Sequence, residues 1–101
     1  MTLTDNDREI VRWFAEECLG IAVCRDFCDQ EDNLIGWLGF GRVVDAIEKR
    51  GFAWTLERAT ATEYGVEVYQ HEDGEIIHKL HTDPAIAAIM ALRQAVEQVV
   101  T

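Results

Sequence analysis

At Gly51 the chain changes its period. Before it, Phe40, Val43, Val44 and Ile47 recur at three- and four-residue spacing, with Asp45, Glu48 and Lys49 opposite them. That is the pattern of an amphipathic helix. After it, Phe52, Trp54, Leu56 and Arg58 alternate with Ala53, Thr55, Glu57 and Ala59, as a strand with one apolar face does. Gly51 stands where a left-handed C-cap belongs, and Lys49 and Arg50 complement the negative helix end. A helix over about Trp37–Arg50 therefore feeds directly into a sheet.

Two more strands follow. Glu63–His71 and Glu75–His81 read as a hairpin around Glu72-Asp73-Gly74. A two-residue Asp-Gly turn would pair Val68 with Lys79 and Val66 with His81, which mixes the faces. A three-residue loop with Gly74 left-handed pairs Val68 with His78 and Val66 with Leu80. It puts Val66, Val68, Ile76 and Leu80 on one face, with Glu67 opposite Lys79 on the other. This second register is self-consistent, and it places His78 on the core face and His71 on the other.

The remaining elements are helical. Asp83 can cap a last helix and Pro84 suits its first position, where a missing N–H costs nothing. Ile86, Ile89, Met90, Leu92, Val96, Val99 and Val100 give it a broad apolar face, and its alanines permit close approach. At the other end, Thr4 or Asp5 can cap a helix over about Asp5–Leu19, with Ile10, Trp13, Phe14 and Cys18 as its stripe and Gly20 as its stop. Ile21–Asn33 stays open between a short strand at Ile-Ala-Val-Cys and an acidic loop. Gly36, Gly39 and Gly41 lack the preceding strand that a phosphate loop needs, and packing of a helix against a sheet accounts for them. The expected fold is α+β: one domain over residues 1–101, a three-stranded antiparallel meander with about three helices packed on it, in the order α(β)αβββα.

Charge limits the partners. Nineteen Asp and Glu face nine Lys and Arg in 101 residues, a net charge of −10. Nucleic acid and anionic membranes are polyanions and would repel such a chain. The Ala-rich stretch Pro84–Leu92 is too short to span a bilayer, and Met1–Asp7 lacks the basic and apolar regions of a signal peptide. A cytoplasmic protein is the expectation. Cys18, Cys24 and Cys28 are odd in number and spaced C-x5-C-x3-C, without the C-x2-4-C knuckle of zinc sites. They read as ordinary thiols, and no metal or cofactor is assigned.

Three stretches resemble the phage ABA-sandwich domain family of small bacteriophage proteins. Ala15-Glu16-Glu17-Cys18-Leu19-Gly20 is similar to that family's early helix end. Val43–Phe52 is similar to its central helix, which closes on a glycine before the meander. Thr82-Asp83-Pro84-Ala85-Ile86, leading to Ala91-Leu92, is similar to its closing helix. Gly20–Gly36 departs from the pattern. The resemblance implies a phage or prophage origin and carries no catalytic residues.

The expected function is therefore inhibition by protein–protein contact. A compact acidic protein can occupy the basic channel of a bacterial defence complex, such as a CRISPR effector, and compete there with nucleic acid. Candidate contacts are Asp26, Asp29, Glu31 and Asp32 in the acidic loop, and Glu72, Asp73 and Glu75 at the hairpin tip. Glu67, with Glu57 and Glu63, would extend the surface, and Tyr69 and Trp37 would anchor it. Acidity that only maintains solubility is the plainer reading of the same residues. A nucleotide-signal binder would need Arg25, Arg42, Arg58 and Lys79 to cluster. A non-catalytic homo-oligomer could use the open sheet edges. An enzyme would need His71, His78 and His81 to converge with Glu67, Glu72 or Asp83, which the chosen register prevents.

Overall fold

The computed structural model describes residues 3–20, 33–70 and 76–100. Within them the chain runs α1 (Asp5–Glu17), α2 (Gly36–Lys49), β1 (Ala53–Arg58), β2 (Tyr64–Tyr69), β3 (Ile77–His81) and α3 (Pro84–Val100). The three strands form an antiparallel meander in the order β1-β2-β3. This is an α+β fold. The short strand considered at Ile21–Cys24 lies outside the described residues.

Each helix starts and stops for a local reason. Thr4 caps α1 through a capping box: its Oγ1 accepts the Asp7 N–H at 3.0 Å, and Asp7 Oδ2 accepts the Thr4 N–H at 3.2 Å. Gly51, at φ 81°, ends α2. Its N–H reaches the Glu48 carbonyl at 3.0 Å, and the Phe52 N–H reaches Ile47 at 3.2 Å. Those two bonds are a Schellman closure, and only a residue without Cβ takes that conformation cheaply. Asp83 caps α3, accepting from Ala85 and Ile86 N–H at 2.8 and 3.2 Å.

Helix α3 is the spine. Residues 85–89, 91 and 92 are fully buried, because α3 packs on β2 and β3 and is itself covered by α1 and α2. Over its first turns the helix is enclosed and apolar all round, and the alanines at 85, 87, 88 and 91 let its neighbours approach. Val11 and Phe14 of α1, Val43 and Ile47 of α2, and Val66 and Val68 of β2 complete one core. Helix α2 also reaches β1, where Phe40 meets Trp54 edge-on at 5.5 Å.

The hairpin register differs from the expected one. Val68 pairs with Ile77, Glu67 with His78, Val66 with Lys79, Gly65 with Leu80 and Tyr64 with His81. The strand is displaced by one residue from the expected pairing, and a slip of one flips every side chain. Ile77 is buried, while Ile76 is 63 % and Leu80 42 % exposed. His78 moves from the core face to the outer face, and His81 turns inward. The adjacent isoleucines Ile76 and Ile77 let either register bury one apolar side chain. The contacts His81 makes, described below, accompany the observed choice.

Candidate functional site

His81, Asp7 and Asp83 form a buried polar chain that joins three helix starts. The Asp83 N–H donates to His81 Nδ1 at 2.9 Å, so that nitrogen carries no proton. The ring hydrogen is then on Nε2, which donates to Asp7 Oδ1 at 2.8 Å. The Asp83 carboxylate, in a residue only 2 % exposed, also accepts the Gly36 N–H at 2.9 and 3.1 Å. The N-termini of α1, α2 and α3 are thus tied together where their dipoles favour carboxylates. Burial pushes the Asp7 carboxyl up, but hydrogen bonds from His81 and Thr4 outweigh it and hold the group below the usual aspartate value. Both imidazole nitrogens are occupied within the fold, so this Asp–His pair is built to position elements.

The second polar group lies on the opposite side of the sheet, which the helices leave uncovered. Glu57, Glu67 and His78 come from β1, β2 and β3 in turn, and one oxygen or nitrogen from each lies within 4.8 Å of the others. His78 Nε2 stands 3.2 Å from Glu57 Oε1, and Thr55 Oγ1 donates to Glu67 Oε2 at 3.2 Å. In register, Thr55, Glu67 and His78 form one cross-strand row; Glu57, Gly65 and Leu80 form the next. His78 therefore crosses diagonally over Gly65 to reach Glu57. A Cβ at Gly65 would lie 2.6 Å from His78 Nε2 and 3.2 Å from Glu57 Oε1. The glycine makes the room that this approach needs. Ile76 and Leu80 flank the group as exposed apolar side chains.

The structure separates the site residues expected from sequence. Glu67 and Tyr69 share the open face of β2, with Glu57 beside them. Glu63 belongs to the β1–β2 turn, where its carbonyl accepts from Ala59 and Thr60 N–H at 3.0 and 3.2 Å. Trp37, 57 % exposed, lies on the helix side of the sheet, edge-on to Phe40 at 5.7 Å and Tyr64 at 5.3 Å. It does not share a surface with Glu67 and Tyr69. Asp26, Asp29, Glu31, Asp32, Glu72, Asp73 and Glu75 lie outside the described residues.

Two other groups weighed from sequence lie partly outside the described residues, Cys24 and Cys28 among them. Arg58 stacks over Tyr64 at 5.8 Å on one edge strand. Lys79, on the other edge strand, lines a shallow depression with Asn6, Glu9 and Arg93. Arg42 is exposed on α2 and Arg25 lies outside the described residues; Arg58 and Lys79, on opposite edges of the sheet, form no anion cradle together. Cys18 lines a cleft with Trp13, Glu17, Arg50, Val96 and Glu97. Burial pushes its thiol above the usual value, against the pull of Arg50, so it is protonated at neutral pH and is a poor nucleophile.

Sequence reading missed His78, Gly65 and Leu80 as a group. The signal that could have found them is Gly65, an uncapped glycine inside a strand. Such a residue weakens the strand and marks a close approach.

No helix among the described residues is long and apolar enough to cross a membrane. The chain matches no family model, no curated protein and no solved structure.

Proposed function

We propose that the protein acts by binding a basic protein surface, without chemistry of its own, and that the open face of the sheet is the contact. The observation that carries this reading is the composition of that face. Exposed Leu80 and Ile76 border the carboxylates of Glu57 and Glu67, with Tyr69 half-buried on the same side of β2. Apolar and aromatic side chains beside charge are the usual make-up of a protein–protein hot spot. The net charge of −10 selects a basic partner and speeds encounter with it. The resemblance to phage ABA-sandwich proteins points to a bacterial defence complex, such as a CRISPR effector, whose basic channel this protein would occupy in place of nucleic acid. The acidic loop and the hairpin tip would extend the contact.

The test is capture from nuclease-treated bacterial lysate in the presence of a chelator, followed by binding of the purified partner. Changing Glu57 and Glu67 to Lys and Tyr69 to Ala together is expected to weaken that binding at least about a hundredfold, the loss of about 3 kcal/mol that hot-spot residues carry. Trp37→Ala, on the other side of the molecule, is expected to leave it unchanged. The reverse pattern would move the interface to the start of α2. Equal binding by both variants and the parent would remove the open face from the function.

A further inference from the structure

We propose that Glu57, Glu67 and His78 bind a divalent transition-metal cation of the zinc class. This does not rest on the partner reading above. It rests on the meeting of three donors from three different strands and on the glycine beneath them.

The donor set comes first. Two carboxylates and one imidazole nitrogen lie within 4.8 Å of one another. Around Zn2+, with ligands at about 2.0–2.2 Å, donor atoms stand roughly 3–3.6 Å apart. Rotation of the long glutamate side chains closes that gap without moving the backbone. The strands supply a rigid base, because adjacent rows of one sheet hold all three residues. Nothing in the chain's local sequence would bring them together; they stand 10 and 11 residues apart, read from their numbers.

Charge and cation preference agree. The ion-pair partner that the structure gives Glu57 is His78, and Glu67 takes its hydrogen bond from the neutral Thr55 hydroxyl. A divalent cation would neutralise both carboxylates at once. The imidazole then decides the class, since Mg2+ and Ca2+ favour oxygen donors throughout, whereas Zn2+ and its neighbours accept mixed nitrogen and oxygen sets. Three protein donors leave one tetrahedral position to water on the solvent side.

Gly65 is the independent observation. Its φ is not in the left-handed region, so the backbone does not demand glycine there. Space does: an added Cβ would displace His78 Nε2 and crowd Glu57. A mid-strand glycine is otherwise a loss.

Titration of ZnCl2 into the full chain, followed by calorimetry at neutral pH, tests the proposal, with MgCl2 as the comparison. Glu57→Gln, Glu67→Gln and His78→Gln are each expected to weaken Zn2+ binding about tenfold or more, the scale on which even supporting residues act. Gly65→Ala is expected to do the same while keeping every donor. Melting curves in chelator show whether each variant is folded, and His78→Gln on the exposed face decides the matter if Gly65→Ala is not. Unchanged Zn2+ affinity in His78→Gln would assign the ion to the thiols or to another site and overturn the proposal. So would the absence of Zn2+ binding by the parent chain, or equal binding of Mg2+.

Discussion

Asp7 does the work of two residues. Its backbone N–H is accepted by Thr4, and its carboxylate accepts from Thr4 and from His81. The bonds to the carboxylate favour its ionised form, which is why the carboxyl is held below its ordinary value in the fold despite its burial. The sign of the pH effect follows. A group whose folded pKa is depressed stabilises above its unfolded pKa, and that contribution is lost as pH falls through the folded value. Asp7→Asn keeps the shape but cannot accept from both partners, and is expected to destabilise by about 1–3 kcal/mol at neutral pH, the range for hydrogen bonds to a charged group and for a buried group left unpaired. Below the ordinary aspartate value of about 4 the difference from the parent should shrink. Urea unfolding of both chains at a series of pH values measures this directly. A gap that stays constant into acid would mean that Asp7 acts through packing and not through its charge.

The elements themselves were largely legible, and the exceptions have physical causes. The end of α2 at Gly51 and the start of α3 at Asp83-Pro84 were readable because local backbone chemistry decides them. The register of β3 was not, since Ile76 and Ile77 offer equivalent hydrophobic patterns and a distant bond from His81 to Asp7 accompanies the observed one. The site went with the register: His78 was read onto the core and is on the open face. The glycines of α2 are a second correction. The sequence assigns them to contacts with the sheet, but Gly39 packs against the Leu34 backbone, Gly36 takes φ 65° as the first residue of the helix, and Gly41 has no neighbour that a Cβ would meet. Two substitutions of the same kind should therefore act in opposite directions. Gly41→Ala adds helix propensity in open space and is expected to stabilise by about 0.5–1 kcal/mol. Gly39→Ala drives a methyl into backbone, which cannot swing aside, and is expected to cost about 3 kcal/mol, at the upper end of ordinary overpacking. Paired chemical denaturation curves check both; a shift of the same sign in each would refute the assignment.

At the scale of the whole molecule, charge opposes the fold that burial sustains. The net charge of −10 is confined to a body with a radius of gyration of 13.0 Å, and self-repulsion of that kind destabilises the compact state. Ion pairs work the other way. Lys49–Asp45 and the Arg93 pairs with Glu9 and Glu97 are attractive at 2.9–3.3 Å, but surface pairs are individually weak. Salt screens both, so its net effect reports which dominates. Raising NaCl from about 0.01 to 0.5 M shortens the Debye length from about 30 Å to about 4 Å. The melting temperature should therefore rise, because long-range repulsion among many carboxylates is screened and a few close pairs lose less. Salt can also strengthen apolar burial, and pH separates the two causes. Near the isoelectric point of about 4.5 the net charge vanishes, and the gain in melting temperature should vanish with it if repulsion is the cause. Persistence of the full gain at that pH would assign it to burial. Loss of stability with salt at neutral pH would show that the ion pairs outweigh the repulsion, and that the acidic surface is balanced locally.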